Sequence, residues 1–140
     1  MRQGLSLIEI LFVLAVAAIL AAMAAPPYIT LRDRAAVRSA TTASVAAFDA
    51  MRALALSRAR HAAMHIDTAN ARLVVHSFSD TLLRVPLGAA WQVHIATTRD
   101  STAIAPDGLG YGAANTRLTL ARGAAAETVS VSRLGRVLRR

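Results

Sequence analysis

The sequence predicts an α+β protein: a long N-terminal membrane-spanning helix that continues into an amphipathic helix packed on an antiparallel β-sheet head. Three observations carry this expectation. Residues 5–25 form an apolar run whose only polar members are Ser6 and Glu9. Residues 28–63 contain neither glycine nor proline and carry an apolar stripe at three- and four-residue steps. Beyond His65 the period changes to alternation, punctuated by turn residues.

The first element is long enough to cross a bilayer, since about 20 apolar helical residues span the hydrocarbon layer. On hydropathy alone a secretory signal peptide is an equal reading, with Arg2 as its positive start and Ala22-Met23-Ala24 as a cleavage site. Glu9 argues against that reading. An acid within a hydrophobic span costs roughly 2.5 to 3.5 kcal/mol even on a lenient insertion scale, so it calls for a partner or a function. Pro26-Pro27 closes the run, and the loss of two backbone donors predicts a kinked or locally melted joint.

The second helix is expected over residues 28–63. Its stripe comprises Val37, Thr41, Val45, Phe48, Met51, Ala55, Ala59 and Ala62, with Arg34, Arg38, Arg52 and Arg60 off it. One helix over residues 5–63 would extend roughly 88 Å, so it would lie half in lipid and half on a head. The β head is expected over 65–140. Its strands are 72–78, 82–87, 91–98, 116–122 and 128–133, with a short last piece at 136–138. Turn chemistry separates them at Thr68-Ala69-Asn70, Ser79-Asp80, Pro86 with Gly88, Pro106-Asp107-Gly108 and Leu134-Gly135. Residues 103–115 read as a loop in which Ile104 is a candidate for a short strand.

Composition narrows the chemistry. There is no cysteine, which excludes disulfides, thiol nucleophiles and cysteine zinc sites. Alanine supplies 32 of the 140 residues, so the apolar fraction overstates the core. All 16 basic residues are arginine, against 8 acids, for a formal charge of +8. Residues 28–60 hold six arginines and two acids, 61–116 three and four, and 117–140 six and one, hence +4, −1 and +5. Arg133, Arg136, Arg139 and Arg140 crowd the terminus, where a mobile end is expected. Guanidinium forks bind phosphate without a defined pocket; a solvated basic end is the plain alternative.

Enzyme readings are thin. His61 and His65 are four apart and would share a helix face, but the glutamate of a zinc-protease motif and a third ligand are missing. His76 and His94 fall in strands. Gly108-Leu109-Gly110-Tyr111-Gly112 precedes no helical pattern and reads as a flexible loop, not a phosphate loop. The aspartates form no calcium loop, and the serines have no triad spacing. We expect no enzyme, no metal and no cofactor.

Three segments resemble known families. Gly4-Leu5-Ser6-Leu7-Ile8-Glu9 before the apolar run resembles the class III leader of type IV pilins and type II secretion pseudopilins, with Leu5 where the family usually has phenylalanine. The resemblance implies cleavage between Gly4 and Leu5 by a prepilin peptidase, N-methylation of Leu5, and subunit assembly through Glu9, whose carboxylate would pair with a neighbour's N-terminal ammonium. Residues 48–60, and the Gly135-Arg136 ending after Thr128-Val129-Ser130-Val131, resemble the GspH/FimT family of minor pseudopilins. It implies a pilin-like organisation: a prepilin leader over 1–4, a transmembrane and polymerisation helix over 5–27, and a periplasmic head over 28–140. The N-terminus would lie on the cytoplasmic side of a bacterial inner membrane; the charge count around the span does not set this orientation.

The function so implied is a non-catalytic minor pseudopilin of a type II secretion pseudopilus, with other pilins, the peptidase and the inner membrane as partners. The alternative is a FimT-like minor pilin of a type IV pilus that binds extracellular DNA through Arg133, Arg136, Arg139 and Arg140. In that branch the DNA element reads Gly-Arg-x-Arg. Here Arg136 is followed by Arg139, one residue late.

Overall fold

The computed structural model describes residues 6–77, 80–112 and 115–140, with only the backbone at 24–26. The chain divides into two units, Met1–Arg32 and Asp33–Arg140. Helix α1 (Leu7–Arg58) contributes to both.

In the first unit every described side chain from Leu7 to Met23 is exposed, Leu7 at 80% and Met23 at 72%. Apolar side chains all round a helix, with nothing packed on them, need lipid or other helices as their solvent. The local melting expected at Pro26-Pro27 is absent: the backbone stays helical there. The prolines leave the carbonyls of Ala22 and Met23 without their intrahelical donors, yet the alanines that precede them favour helix. The Thr30 hydroxyl adds a bond to the Pro27 carbonyl at 2.9 Å.

In the second unit Val37, Thr41, Phe48, Met51 and Ala55 of the predicted stripe are buried, together with Ala40, Ser44 and Ala47. Val45 is half-buried, Ala59 is exposed, and Ala59 and Ala62 lie beyond the end of the helix. Phe48 is 1% exposed, and burying such a side chain contributes about 1.5–3 kcal/mol. Ser44 satisfies its hydroxyl on the Ala40 carbonyl at 2.8 Å. The Thr41 hydroxyl has no partner among the described residues.

The helix ends at Arg58 rather than near 63, and β1 (Ala62–Asp67) follows, a strand the alternation did not announce. Ala62, Met64 and Ile66 point into the core while His65 is exposed, so the period of two is present. Alanine at 62 and 63 hides it, because alanine fits either periodicity. β2 (Arg72–Ser77) lies where expected, as does β7 (Thr116–Arg122). β3 (Asp80–Val85) starts earlier than the expected 82–87. The expected strand at 91–98 is present but shorter, as β4 (His94–Thr97), because a short helix α2 (Leu87–Trp91) takes up its first residue. Gly88 permits α2: its N–H bonds the Ala71 carbonyl at 2.7 Å, and a Cβ would stand 2.8 Å from that of Ala71. The expected loop over 103–115 contains β5 (Ser101–Ile104), which includes Ile104, and β6 (Gly110–Tyr111). β8 (Ala125–Val131) starts before the expected 128–133, and β9 is Val137–Arg139. The end of the expected strand at Phe78, and Ser79 of the next turn, lie outside the described residues.

The strands form two antiparallel sheets, not one. The first has the order β3-β2-β1-β5-β6 and the second β4-β7-β8-β9. Met64, Ile66, Leu73, Val75 and Ile104 from the first share a core with Ile95, Leu118, Leu120, Val129 and Val131 from the second and with the buried stripe of α1. Two ties join the sheets at their margins. The 98–100 crossing bonds Thr98 N–H to the Arg117 carbonyl at 3.1 Å and Ile66 N–H to the Asp100 carbonyl at 2.7 Å. Gly110 N–H donates to the Arg133 carbonyl at 2.7 Å.

Candidate functional site

Gly4 and Leu5, the expected cleavage and methylation positions, lie outside the described residues. Glu9 is exposed in the first turn of α1. Ser6 precedes the helix, and its hydroxyl accepts the Glu9 N–H at 3.3 Å while its carbonyl accepts the same N–H at 3.0 Å. Ser6-Leu7-Ile8-Glu9 therefore has the spacing of a capping pair, a signal the sequence reading passed over. A carboxylate in the first helical turn faces unpaired N–H groups and the positive end of the helix dipole, worth about 0.3–1 kcal/mol at a surface. This position lessens the cost of an acid at the start of an apolar helix.

The four C-terminal arginines are not a mobile arm. β9 pairs with β8, matching Val131 with Val137, Ser130 with Leu138 and Val129 with Arg139. Beyond it Arg140 exchanges two backbone bonds with Thr128, at 2.8 and 2.9 Å. Arg139 is clamped: Nε and Nη2 hold the Glu127 carboxylate at 3.0 and 3.2 Å, and Nη1 reaches the Thr42 hydroxyl of α1 at 3.5 Å. It fastens the last strand to the helix. Arg133 and Arg136 sit in the β8–β9 turn, exposed, with their backbone N–H groups bonded to Asn115 Oδ1 at 2.8 Å and Ser132 Oγ at 3.2 Å. The structure thus separates Arg139 from Arg133, Arg136 and Arg140.

It adds Arg117, which the sequence reading did not single out. Arg117 is exposed on β7 and pairs with Ser130, which pairs in turn with Leu138. The period of two puts these three on one side of the second sheet, opposite the face that carries Leu118 and Val129. A shallow depression of ≈ 450 Å³ there is lined by Thr98, Asn115, Arg117, Ser130, Ser132 and Leu138, among others. Only the strand register could have brought Arg117 to this group.

His61 and His65 do not share a helix face. His61 follows the helix and packs against Tyr111 in a tilted arrangement, ring centroids 4.6 Å apart, whereas His65 lies on β1. Among the described residues no three histidine, aspartate or glutamate side chains gather as a metal site would require.

A long apolar helix leading into a helix-packed head of two antiparallel sheets is the pilin-like α+β fold. No protein-family model matches the sequence, and no curated protein matches it. Solved structures do. The type IV minor pilin FimU of Pseudomonas aeruginosa is 14% identical at a TM-score of 0.64, covering 74% of this chain and 87% of its own. A second crystal form of FimU gives 13% and 0.61. The minor pseudopilin EpsH of the Vibrio cholerae type 2 secretion system is 9% identical at 0.58, covering 74% of this chain and 95% of its own. The chain has the fold of the minor pilins and minor pseudopilins.

Proposed function

We propose that the chain is a non-catalytic minor subunit of a pilus or secretion pseudopilus, held in a bacterial inner membrane and polymerised through its N-terminal helix. The observation that carries this reading is the uncovered apolar surface over Leu7–Met23, on the same helix that supplies the head with its core stripe. FimU and EpsH, minor subunits by their names, support it through their fold. In this reading prepilin peptidase cuts between Gly4 and Leu5, Leu5 is methylated, and Glu9 pairs with the ammonium of a neighbour. The head at 28–140 lies in the periplasm and residues 5–27 in the membrane.

Within this reading we favour a type II secretion pseudopilus, because Arg139 is committed to Glu127 and Thr42 and so withdrawn from the basic terminus. DNA capture by a type IV minor pilin is the second reading, favoured by the exposure of Arg133, Arg136 and Arg140. Intact mass from a host with prepilin peptidase tests the common part: the mature chain should begin at methylated Leu5, and a start at Ala25 would return the signal-peptide reading. A salt series of duplex retardation separates the two finer readings. Counterion release makes any phosphate binding fall steeply with salt. DNA capture requires retardation at low salt that is lost when Arg133, Arg136 and Arg140 become alanine; no retardation supports the pseudopilus.

A further inference from the structure

Near the C-terminal end of α1, two turns close over one arginine. Gly108 (φ 79°) lies against the helix so tightly that a Cβ would stand 3.2 Å from Arg52 Nε and 3.2 Å from Leu56 Cδ2. A Cβ on Gly135 (φ 72°) would stand 3.1 Å from the Gly108 carbonyl oxygen and 3.4 Å from Arg52 Cζ. Both glycines adopt a left-handed conformation that other residues rarely take, and a side chain at either would make its neighbours shift. The frame is further fixed by Leu109 N–H on Asp107 Oδ1 at 2.9 Å and Gly110 N–H on the Arg133 carbonyl at 2.7 Å.

This frame carries exposed leucines among arginines. Leu56 is 49% exposed, Leu109 44% and Leu134 66%. Single exposed leucines are ordinary, but these three stand on the helix end and on the two turns that meet at Gly108 and Gly135. Arg72, Arg122 and Arg139 each hold a carboxylate. Arg52, half-buried, and Arg133 and Arg136, exposed, hold none among the described residues. Asp107 lies in the same loop and uses one oxygen on its own Leu109 N–H; Asp49 lies on the same helix.

We propose that Leu56, Leu109 and Leu134 with Arg52, Arg133 and Arg136 form a docking site for a segment of another protein that carries acidic side chains beside aliphatic ones. A half-buried guanidinium without a counter-charge gains a charge-assisted hydrogen bond when a carboxylate arrives. The leucines gain when aliphatic groups displace water from them. A second copy of this chain does not meet the requirement, because it would bring the same basic patch within a chain of net +8. Duplex DNA would engage the arginines and leave the leucines in water. The proposal does not depend on which filament the chain joins.

The test uses the whole chain in zwitterionic nanodiscs, empty discs as the blank, and fluorescence anisotropy of short labelled peptides. The probes are an alternating glutamate–leucine peptide, a glutamate–serine peptide, a lysine–leucine peptide and a DNA duplex of similar charge. The glutamate–leucine peptide should bind at least about tenfold more tightly than the other three, and Arg52→Gln and Leu134→Ser should each weaken it by about tenfold. Should Arg52→Gln disturb the fold, Leu134→Ser decides, since an exposed turn side chain supports no core. No binding, equal binding of the glutamate–serine peptide, or tighter binding of DNA would each overturn the proposal. None of these outcomes bears on assembly, as the assay contains no other pilin.

Discussion

Ala59 occupies the left-handed region at φ 47°, a place that glycine usually takes. Its N–H bonds the Leu56 carbonyl at 3.3 Å, and the Arg60 N–H bonds that of Ala55 at 3.2 Å, the paired bonds that close a helix end and redirect the chain. An L-residue there costs roughly 1–2 kcal/mol, part of which glycine would return through a freer unfolded chain. Ala59→Gly should therefore stabilise the head by up to about 1 kcal/mol, read as a higher urea midpoint in the fluorescence of Trp91, the sole tryptophan. Asp67 is a second local device. Bonds from the Asn70 side chain and N–H, and from Arg72 Nε at 2.7 Å, hold its carboxyl down to about 2. A free aspartate titrates near 3.9, so between these values the unfolded chain binds the extra proton. The stabilisation is complete above about pH 4 and is lost as pH falls through about 2. Asp67→Asn should flatten the acid limb of the stability profile in that window; an unchanged limb would show that the turn does not depend on the charge.

Arg122 joins three elements. Nε pairs with Asp33 on α1 at 2.9 Å, both side chains being about 15% exposed, and Nη1 donates to the Trp91 carbonyl at the end of α2 at 2.7 Å. Gly123 follows at φ 55°, where the Asp33 carboxylate occupies the space of a Cβ. Arg122→Ala leaves a largely covered carboxylate and a carbonyl unpaired, so it should cost about 2 kcal/mol and red-shift Trp91 emission. An unchanged urea midpoint would show the clamp to be ornamental. Such clamps explain what sequence reading reached and where it stopped. β7 was legible because Leu118 and Leu120 alternate with Arg117 and Thr119. β1 was not, because Ala62 and Ala63 carry no period, and α2 is too short to show one. The final strand was legible in place but not in consequence: nothing in the sequence shows that Arg139 faces Glu127, since that depends on the register with Val129. The leader motif at Gly4 and Leu5 lies outside the described residues.

At the scale of the whole molecule, charge and apolar surface are each divided by role. Arg72, Arg122 and Arg139 each hold a carboxylate, and each of these pairs fastens a turn, a hairpin or the last strand. The excess of arginine over acid leaves the head basic, which suits acidic partners and opposes close packing of head upon identical head. The uncovered apolar helix over Leu7–Met23 is the larger statement, because no side chain of the described chain covers it. In the proposed role it lies in lipid before assembly and against neighbouring subunits after, with Glu9 paired to a neighbour's N-terminal ammonium. The most direct test is the sheared-filament fraction of cells that make the wild-type chain or Glu9→Ala together with a major pilin. We predict wild type in the filaments and Glu9→Ala retained in the membrane with an unchanged Trp91 unfolding midpoint. A wild-type chain found wholly in the membrane with its head folded, or a Glu9→Ala chain that enters filaments as wild type does, would contradict the account.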